Sequence, residues 1–211
     1  MIEALDHQTT PQFAEEQPAQ PESVNTMEFA RQQLLLKLVD AGLITKEFYA
    51  SGVAEEFAVD EALHRDALTH MLVGDETGGV HHLPTLIALG VDNVIVASVI
   101  NDPLNPKKPL RRFRREQRIR ENGVFVAKDV QIKGADGSIY KKDGGSAMFP
   151  SEWSTQQVLE TVLATSQTLG QVDEDRATTF HAAEINGVKV IAITDNKTGK
   201  IITGFPRREQ Q

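Results

Sequence analysis

Glu184-Ile-Asn-Gly187-Val-Lys-Val-Ile-Ala-Ile-Thr194, then Asp195-Asn-Lys-Thr-Gly199, then Lys200-Ile-Ile-Thr-Gly-Phe205: two β-branched runs around a polar, glycine-ended turn decide the fold class. Val, Ile and Thr suit a pleated, half-buried surface. Asp, Asn, Thr and Gly are the residues that turn a chain back on itself. The pattern predicts a strand over 184–194, a turn over 195–199 and a returning strand over 200–205. Upstream, Gly123–Lys133 alternates in the same way, Ala135-Asp-Gly137 is a turn, and Ser138-Ile-Tyr-Lys141 returns as a second hairpin. Val94–Ile100 is an apolar run closed by Asn101-Asp102-Pro103, which suits a buried strand and is far short of the roughly 18 apolar residues of a membrane helix.

Helical spacing lies in other segments. Ser154 and Gln157 have capping-box spacing, and Val158, Leu159, Val162, Leu163 and Leu169 follow at helical intervals, with Gly170 as terminator. Thr26 heads a helix carrying Phe29, Leu34, Leu35, Leu36, Leu38 and Val39 and stopping at Gly42. Thr45-Lys-Glu-Phe-Tyr-Ala50 opens a second, Asp60–Leu68 reads as a third that delivers His70 near its end, and Pro84–Gly90 adds a turn or two. Helices come first and antiparallel strands later, so the class is α+β.

The 211 residues carry a formal charge of −8 and no cysteine. Disulfides, thiolate nucleophiles and cysteine-ligated zinc are thereby excluded, and an acidic chain is a poor nonspecific nucleic-acid binder. The charge is uneven, however. Lys107, Lys108, Arg111, Arg112, Arg114, Arg115, Arg118 and Arg120 face only Glu116, which leaves a cationic run with Phe113 inside it. Residues 1–25 hold Pro11, Pro18 and Pro21, several Gln and Glu, and no Lys or Arg, the composition of a loosely attached acidic tail. The expected organisation is tail 1–25, helical region 26–62 and a main domain 63–211. Acid rather than base at Met1–Asp6 is unlike a secretory signal, so the expected location is cytoplasmic, or outside by a route without a classical signal peptide.

The chemistry is concentrated in His70-Met-Leu-Val-Gly74-Asp75-Glu-Thr-Gly78-Gly79-Val-His81-His82. Histidine exchanges protons near neutrality, and two imidazoles brought together can serve as base and acid on one substrate. Gly78 and Gly79 let the backbone reach positive φ and return His81 toward His70. Taken alone, His70 at a helix end would only neutralise the negative helix pole, and His82 reads as exposed filler.

His70, Gly74-Asp75 and Gly78-Gly79-Val-His81 resemble the first motif of the EndoU endoribonucleases. Three further stretches resemble the family in the same order: Asn122–Lys128, Ser146-Ala-Met-Phe-Pro150-Ser-Glu-Trp153-Ser, and Ile202-Thr203-Gly-Phe205-Pro206. Together they span roughly residues 65–206. The resemblance implies an α+β catalytic domain with a cleft, in which antiparallel sheets follow N-terminal helices. It also implies cleavage of single-stranded RNA at uridines, leaving 2',3'-cyclic phosphate and 5'-hydroxyl ends. His70 and His81 would be the acid/base pair, with family analogy favouring His70 as base, and Lys128 would supply positive charge at the phosphorus. Ser146, Thr203, Phe205 and Gly79 would bind substrate, Phe205 standing where the commoner pattern has Tyr. No cofactor is expected to be required, although some members respond to manganese. The expected partners are single-stranded RNA and, where such a domain serves as a toxin, an immunity or inhibitor protein; no membrane is expected.

Two other classes fit the residues. A metallohydrolase would use His64, His70, His81, His82 and Asp75 as ligands, but their spacing is not that of a helical His-x-x-x-His site. A non-catalytic RNA- or partner-binding module would rely on the arginine run and leave the histidines incidental.

Overall fold

A computed structural model of the protein describes residues 26–60, 65–91, 94–100, 122–133, 137–142 and 145–207. The acidic tail, His64 and the arginine-rich run lie outside the described residues. The class is α+β, as expected from the order of helical and strand signals.

The chain opens with helices α1 (Thr26–Asp40) and α2 (Lys46–Ala50). Thr45 caps α2, its Oγ1 accepting the Phe48 N–H at 3.1 Å. Two short strands, β1 (Val59–Asp60) and β2 (Arg65–Asp66), then pair antiparallel before α3 (Ala67–Leu72). This corrects the expected helix over 60–68. Asp60 and Arg65 are cross-strand partners, and the helix starts at Ala67 because Asp66 caps it, accepting from the Thr69 N–H (2.8 Å) and hydroxyl (2.7 Å). The later start leaves His70 in the helix, with its last turn pointing at the glycine loop.

After α4 (Leu83–Ala88) come β3 (Val94–Ile100), β4 (Phe125–Lys133), β5 (Ile139–Lys141) and β6 (Ser146–Met148). Strand β4 is central: β3 lies on one edge, and β5 and then β6 share the other. Asp129 sits at φ +52° and breaks the alternation of β4. Phe125 and Ala127 before it, and Val130 and Ile132 after it, therefore enter the same core.

Helix α5 (Thr155–Ser166) begins where its capping signal says, with Ser154 Oγ accepting the Gln157 N–H at 3.1 Å. Its end departs from expectation. Gly170 starts a strand, and Leu169 lies beyond the helix, fully exposed. The second sheet is a meander of β7 (Gly170–Asp173), β8 (Thr178–Ile185), β9 (Val188–Asp195) and β10 (Ile201–Pro206), in spatial order β10-β9-β8-β7. The run 184–194 is thus two strands rather than one. Asn186 (φ +51°) and Gly187 (φ +74°) form the left-handed pair that a tight hairpin needs.

Two clusters of buried side chains hold these layers. One joins Leu35 and Leu38 of α1, Phe57, Leu68 and Met71 of α3, Val158, Leu159 and Val162 of α5, and Val190 and Ala192 of β9. The other joins Val80, Leu86, Phe125, Ala127, Val130, Ile132 and Met148. The segment from His70 to His81 spans the gap between them. His82, expected to be exposed, is buried: its ring bridges the Trp153 carbonyl (3.0 Å) and the Thr85 hydroxyl (2.7 Å), which in turn meets Thr155 at 2.8 Å. That chain of contacts ties the start of α4 to the start of α5.

Arg31 of α1 and Asp66 form an ion pair at 3.8 Å, both side chains almost wholly buried. Removing one partner strands the other charge in the interior, which costs about 3 kcal/mol or more. Arg31→Ala should therefore lower the unfolding free energy by about 3 kcal/mol. Urea titration checks this, and a loss below about 1 kcal/mol would show that the pair contributes no more than a surface contact.

Candidate active site

The glycine loop is a tight reversal. Asp75 N–H donates to the Gly78 carbonyl (3.0 Å) and Gly78 N–H to the Asp75 carbonyl (2.9 Å). The returning chain lies on the end of α3: Val80 N–H donates to the His70 carbonyl (3.0 Å) and His81 N–H to the Met71 carbonyl (2.8 Å). Gly79, at φ +76°, is where the two segments touch, and a Cβ there would overlap the His70 carbonyl. Val80 follows at φ +59°, an unfavourable conformation for a β-branched residue, held by complete burial. The consequence is proximity: the His70 and His81 rings lie 6.4 Å apart, edge to face.

Each imidazole has a distinct environment. Asp75 Oδ2 accepts from His70 Nδ1–H at 2.9 Å, and an Arg65 guanidinium nitrogen lies 3.3 Å from His70 Nε2. Burial alone would raise the pKa of the Asp75 carboxyl, but the hydrogen bonds from His70 and Thr77 outweigh it and bring it down to about 2. An ionised carboxylate therefore backs His70 throughout the ordinary pH range. His81 runs along the free edge of β6, with its Nδ1–H donating to the Ala147 carbonyl at 2.9 Å and its own carbonyl accepting from Phe149 N–H at 2.8 Å. Burial and then the nearby Lys142 charge push the His81 pKa down to about 3, against the opposing pull of the Ala147 carbonyl. His81 is thus neutral with Nδ1 protonated, which leaves Nε2 as a lone pair.

Ser146, on the edge beside His81, is buried. Its hydroxyl donates to the Val80 carbonyl at 2.6 Å, has the Gly79 carbonyl at 3.1 Å, and lies 3.3 Å from His81 Nδ1. The hydroxyl expected at the base is thus committed to the returning loop. Lys142 completes the cluster, its ammonium donating to the Gly79 carbonyl (2.8 Å) and to Ser146 Oγ (3.1 Å). Lys128 neighbours the cluster through the sheet. It lies next to Ala127, the register partner of Ser146, and its aliphatic stem passes Gly145.

Phe205 reaches the site from the other sheet, its ring 5.6 Å from that of His81. Thr203 lies two residues earlier on β10, on the same strand face, after a register shift between Ile201 and Thr203. Its hydroxyl is buried and has no hydrogen-bond partner among the described residues. The structure therefore brings His70, His81, Gly79, Ser146 and Phe205 together, places Thr203 on the Phe205 side, and sets Lys128 at the edge. Sequence reasoning missed Lys142 and Arg65. Lys142 had one signal, its place just before the Gly144-Gly145 turn that leads to Ser146; Arg65 was hidden inside a supposed helix.

Among the described residues no three His, Asp or Glu side chains converge as a metal site, and both ring nitrogens of His82 already have partners. The donor set of the metallohydrolase reading does not assemble there. No helix of the described residues is long and apolar enough to cross a membrane.

Fold and site together define an α+β protein with a buried imidazole pair between two antiparallel sheets. The family model for bacterial EndoU nucleases matches residues 64–208, and the chain belongs to that family. It is a nuclease by that membership. No curated protein and no solved structure matches the chain.

The depressed histidines have a consequence for stability. Burial, against the hydrogen bond to Trp153, also holds His82 down at about 4, while an unfolded histidine titrates near 6.5. Below pH 6.5 the unfolded chain takes up protons that the folded state refuses, so stability is full above that pH and falls below it. Each ring contributes a slope of roughly 1.4 kcal/mol per pH unit in that window. Urea midpoints measured from pH 7.5 to 4.5 should drop steadily from about 6.5 downward; a flat profile would contradict the burial of neutral rings.

Proposed function

We propose that the protein is an endoribonuclease that cuts single-stranded RNA at uridines through attack of the ribose 2'-hydroxyl on the adjacent phosphorus. His81 Nε2 takes the 2'-hydroxyl proton, the new P–O bond closes the 2',3'-cyclic phosphate, and the bond to the 5'-oxygen breaks. His70 delivers a proton to that leaving oxygen, with Asp75 stabilising the positive charge its ring carries. Lys142, held by the Gly79 carbonyl and Ser146 beside His81, offsets charge developing on the non-bridging oxygens, with Lys128 as the second candidate. The family analogy favours the opposite division of labour between the histidines. The observation that carries our assignment is the contrast between a ring made neutral by burial and a neighbouring ring backed by an ionised carboxylate.

Base recognition is assigned to Phe205 as stacking surface and to Thr203, whose hydroxyl has no partner among the described residues and suits a polar edge of uracil. Gly79 gives substrate close access to the loop backbone, and Ser146 would reach the base only by exchanging its bond to Val80. The mechanism draws on side chains alone, and activity should survive exhaustive chelation; manganese stimulation would act on top of it.

Mass analysis of a short uridine-containing RNA after incubation should find 2',3'-cyclic phosphate and 5'-hydroxyl products. The same RNA with 2'-deoxyuridine at the cut position should remain intact, and its cleavage would end this mechanism. His70→Ala and His81→Ala should each lower the rate by about 10²–10⁴-fold. Lys142→Ala should cost more than Lys128→Ala; the reverse order would return the cationic role to Lys128.

A further inference from the structure

Arg65 is the one guanidinium in contact with the imidazole pair among the described residues, and its bonding is incomplete. Its side chain is half-buried, its Nε has no partner among the described residues, and its terminal nitrogen meets only His70 Nε2, at 3.3 Å. Nδ1–H of that ring already goes to Asp75, so Nε2 is the nitrogen left for chemistry. To deliver a proton Nε2 must carry one, and then it cannot accept from Arg65. To take a proton its lone pair must be free. In either role the guanidinium has to find another acceptor as the reaction proceeds.

We infer that Arg65 is a phosphate-binding residue of the RNA site, resting on His70 Nε2 in the free protein and moving to a phosphate oxygen when RNA binds. The inference rests on the nuclease reading above. A guanidinium offers several donors in a planar fork, so Nε, idle in the free protein, and a terminal nitrogen can take one phosphate together. A half-buried cation with no carboxylate partner among the described residues is costly to keep, and an anionic ligand supplies the missing charge. Asp75 does not fill that place, since it bonds the opposite nitrogen of the ring. Docking of RNA would then release Nε2 as the phosphate arrives beside it, which couples readiness of His70 to occupancy of the site.

The test uses a fluorescent RNA analogue with 2'-deoxyuridine at the cut position, titrated against the intact protein at several salt concentrations. Arg65→Gln keeps a donor for His70 but loses the charge. It should bind about tenfold more weakly, with the slope of log K against log salt reduced by about 0.7, the share of one phosphate contact. Arg65→Lys should retain the slope. Binding and slope equal to wild type in Arg65→Gln would overturn the inference and leave Arg65 a positioning residue for His70. A second measurement needs no variant: the His70 Nε2 NMR resonance of the wild-type protein should move on addition of the analogue, and an unmoved signal in the bound protein would also overturn it. Wild-type protein that neither binds nor cuts uridine RNA would remove both readings, whereas cutting with an unaffected Arg65→Gln removes only this one.

Discussion

Two backbone hydrogen bonds, from Val80 to the His70 carbonyl and from His81 to the Met71 carbonyl, hold the active segment closed on itself. They form only because Gly79 has no side chain at the point of contact. Every other feature of the site inherits from that closure. It sets the spacing of the rings, aims the His81 carbonyl at Phe149, and presents the Gly79 and Val80 carbonyls to Lys142 and Ser146. The strained φ of Val80 is the visible cost, and the complete burial of that side chain in the second core offsets it.

The fold supplies rigid anchors on both sides of this loop. Helix α3 is capped by Asp66, whose other oxygen faces Arg31 on α1, so the start of the helix bearing His70 is tied into the first core. His82 does the equivalent work at the far end through Trp153 and Thr85. Between these anchors the environment differs sharply over a few ångströms. His81 lies against a strand edge with an ammonium nearby and stays neutral, while His70 touches a carboxylate on one nitrogen and a guanidinium on the other. Two chemically identical side chains are thereby given different capacities, the asymmetry on which the proposed acid–base roles rest.

Much of this was legible beforehand where the physics is local. The caps at Thr45 and Ser154, the β4–β5 hairpin and the reversal at Gly78-Gly79 follow from residues within a few positions of one another. Two local signals were nonetheless misread. Asn186-Gly187 is a strong hairpin turn inside a stretch otherwise rich in β-branched residues, and that strand-like pattern masked it. Asp66 is a good helix start, but the acidic stretch before it also has helical composition, and strand pairing between Asp60 and Arg65 decided the matter.

The pairing of helices early with antiparallel strands late, and the identity of the residues able to move protons, were readable from order and type because short-range periodicity and side-chain chemistry express them directly. Which charges stand beside those residues was not. Lys142 is separated from Gly79 by more than sixty positions, and Phe205 from His81 by more than a hundred. Arg65 meets His70 only because a strand, not a helix, precedes α3. Contacts of that range depend on how the helices and sheets pack against one another, and packing is set by the summed burial of the whole core rather than by any one segment.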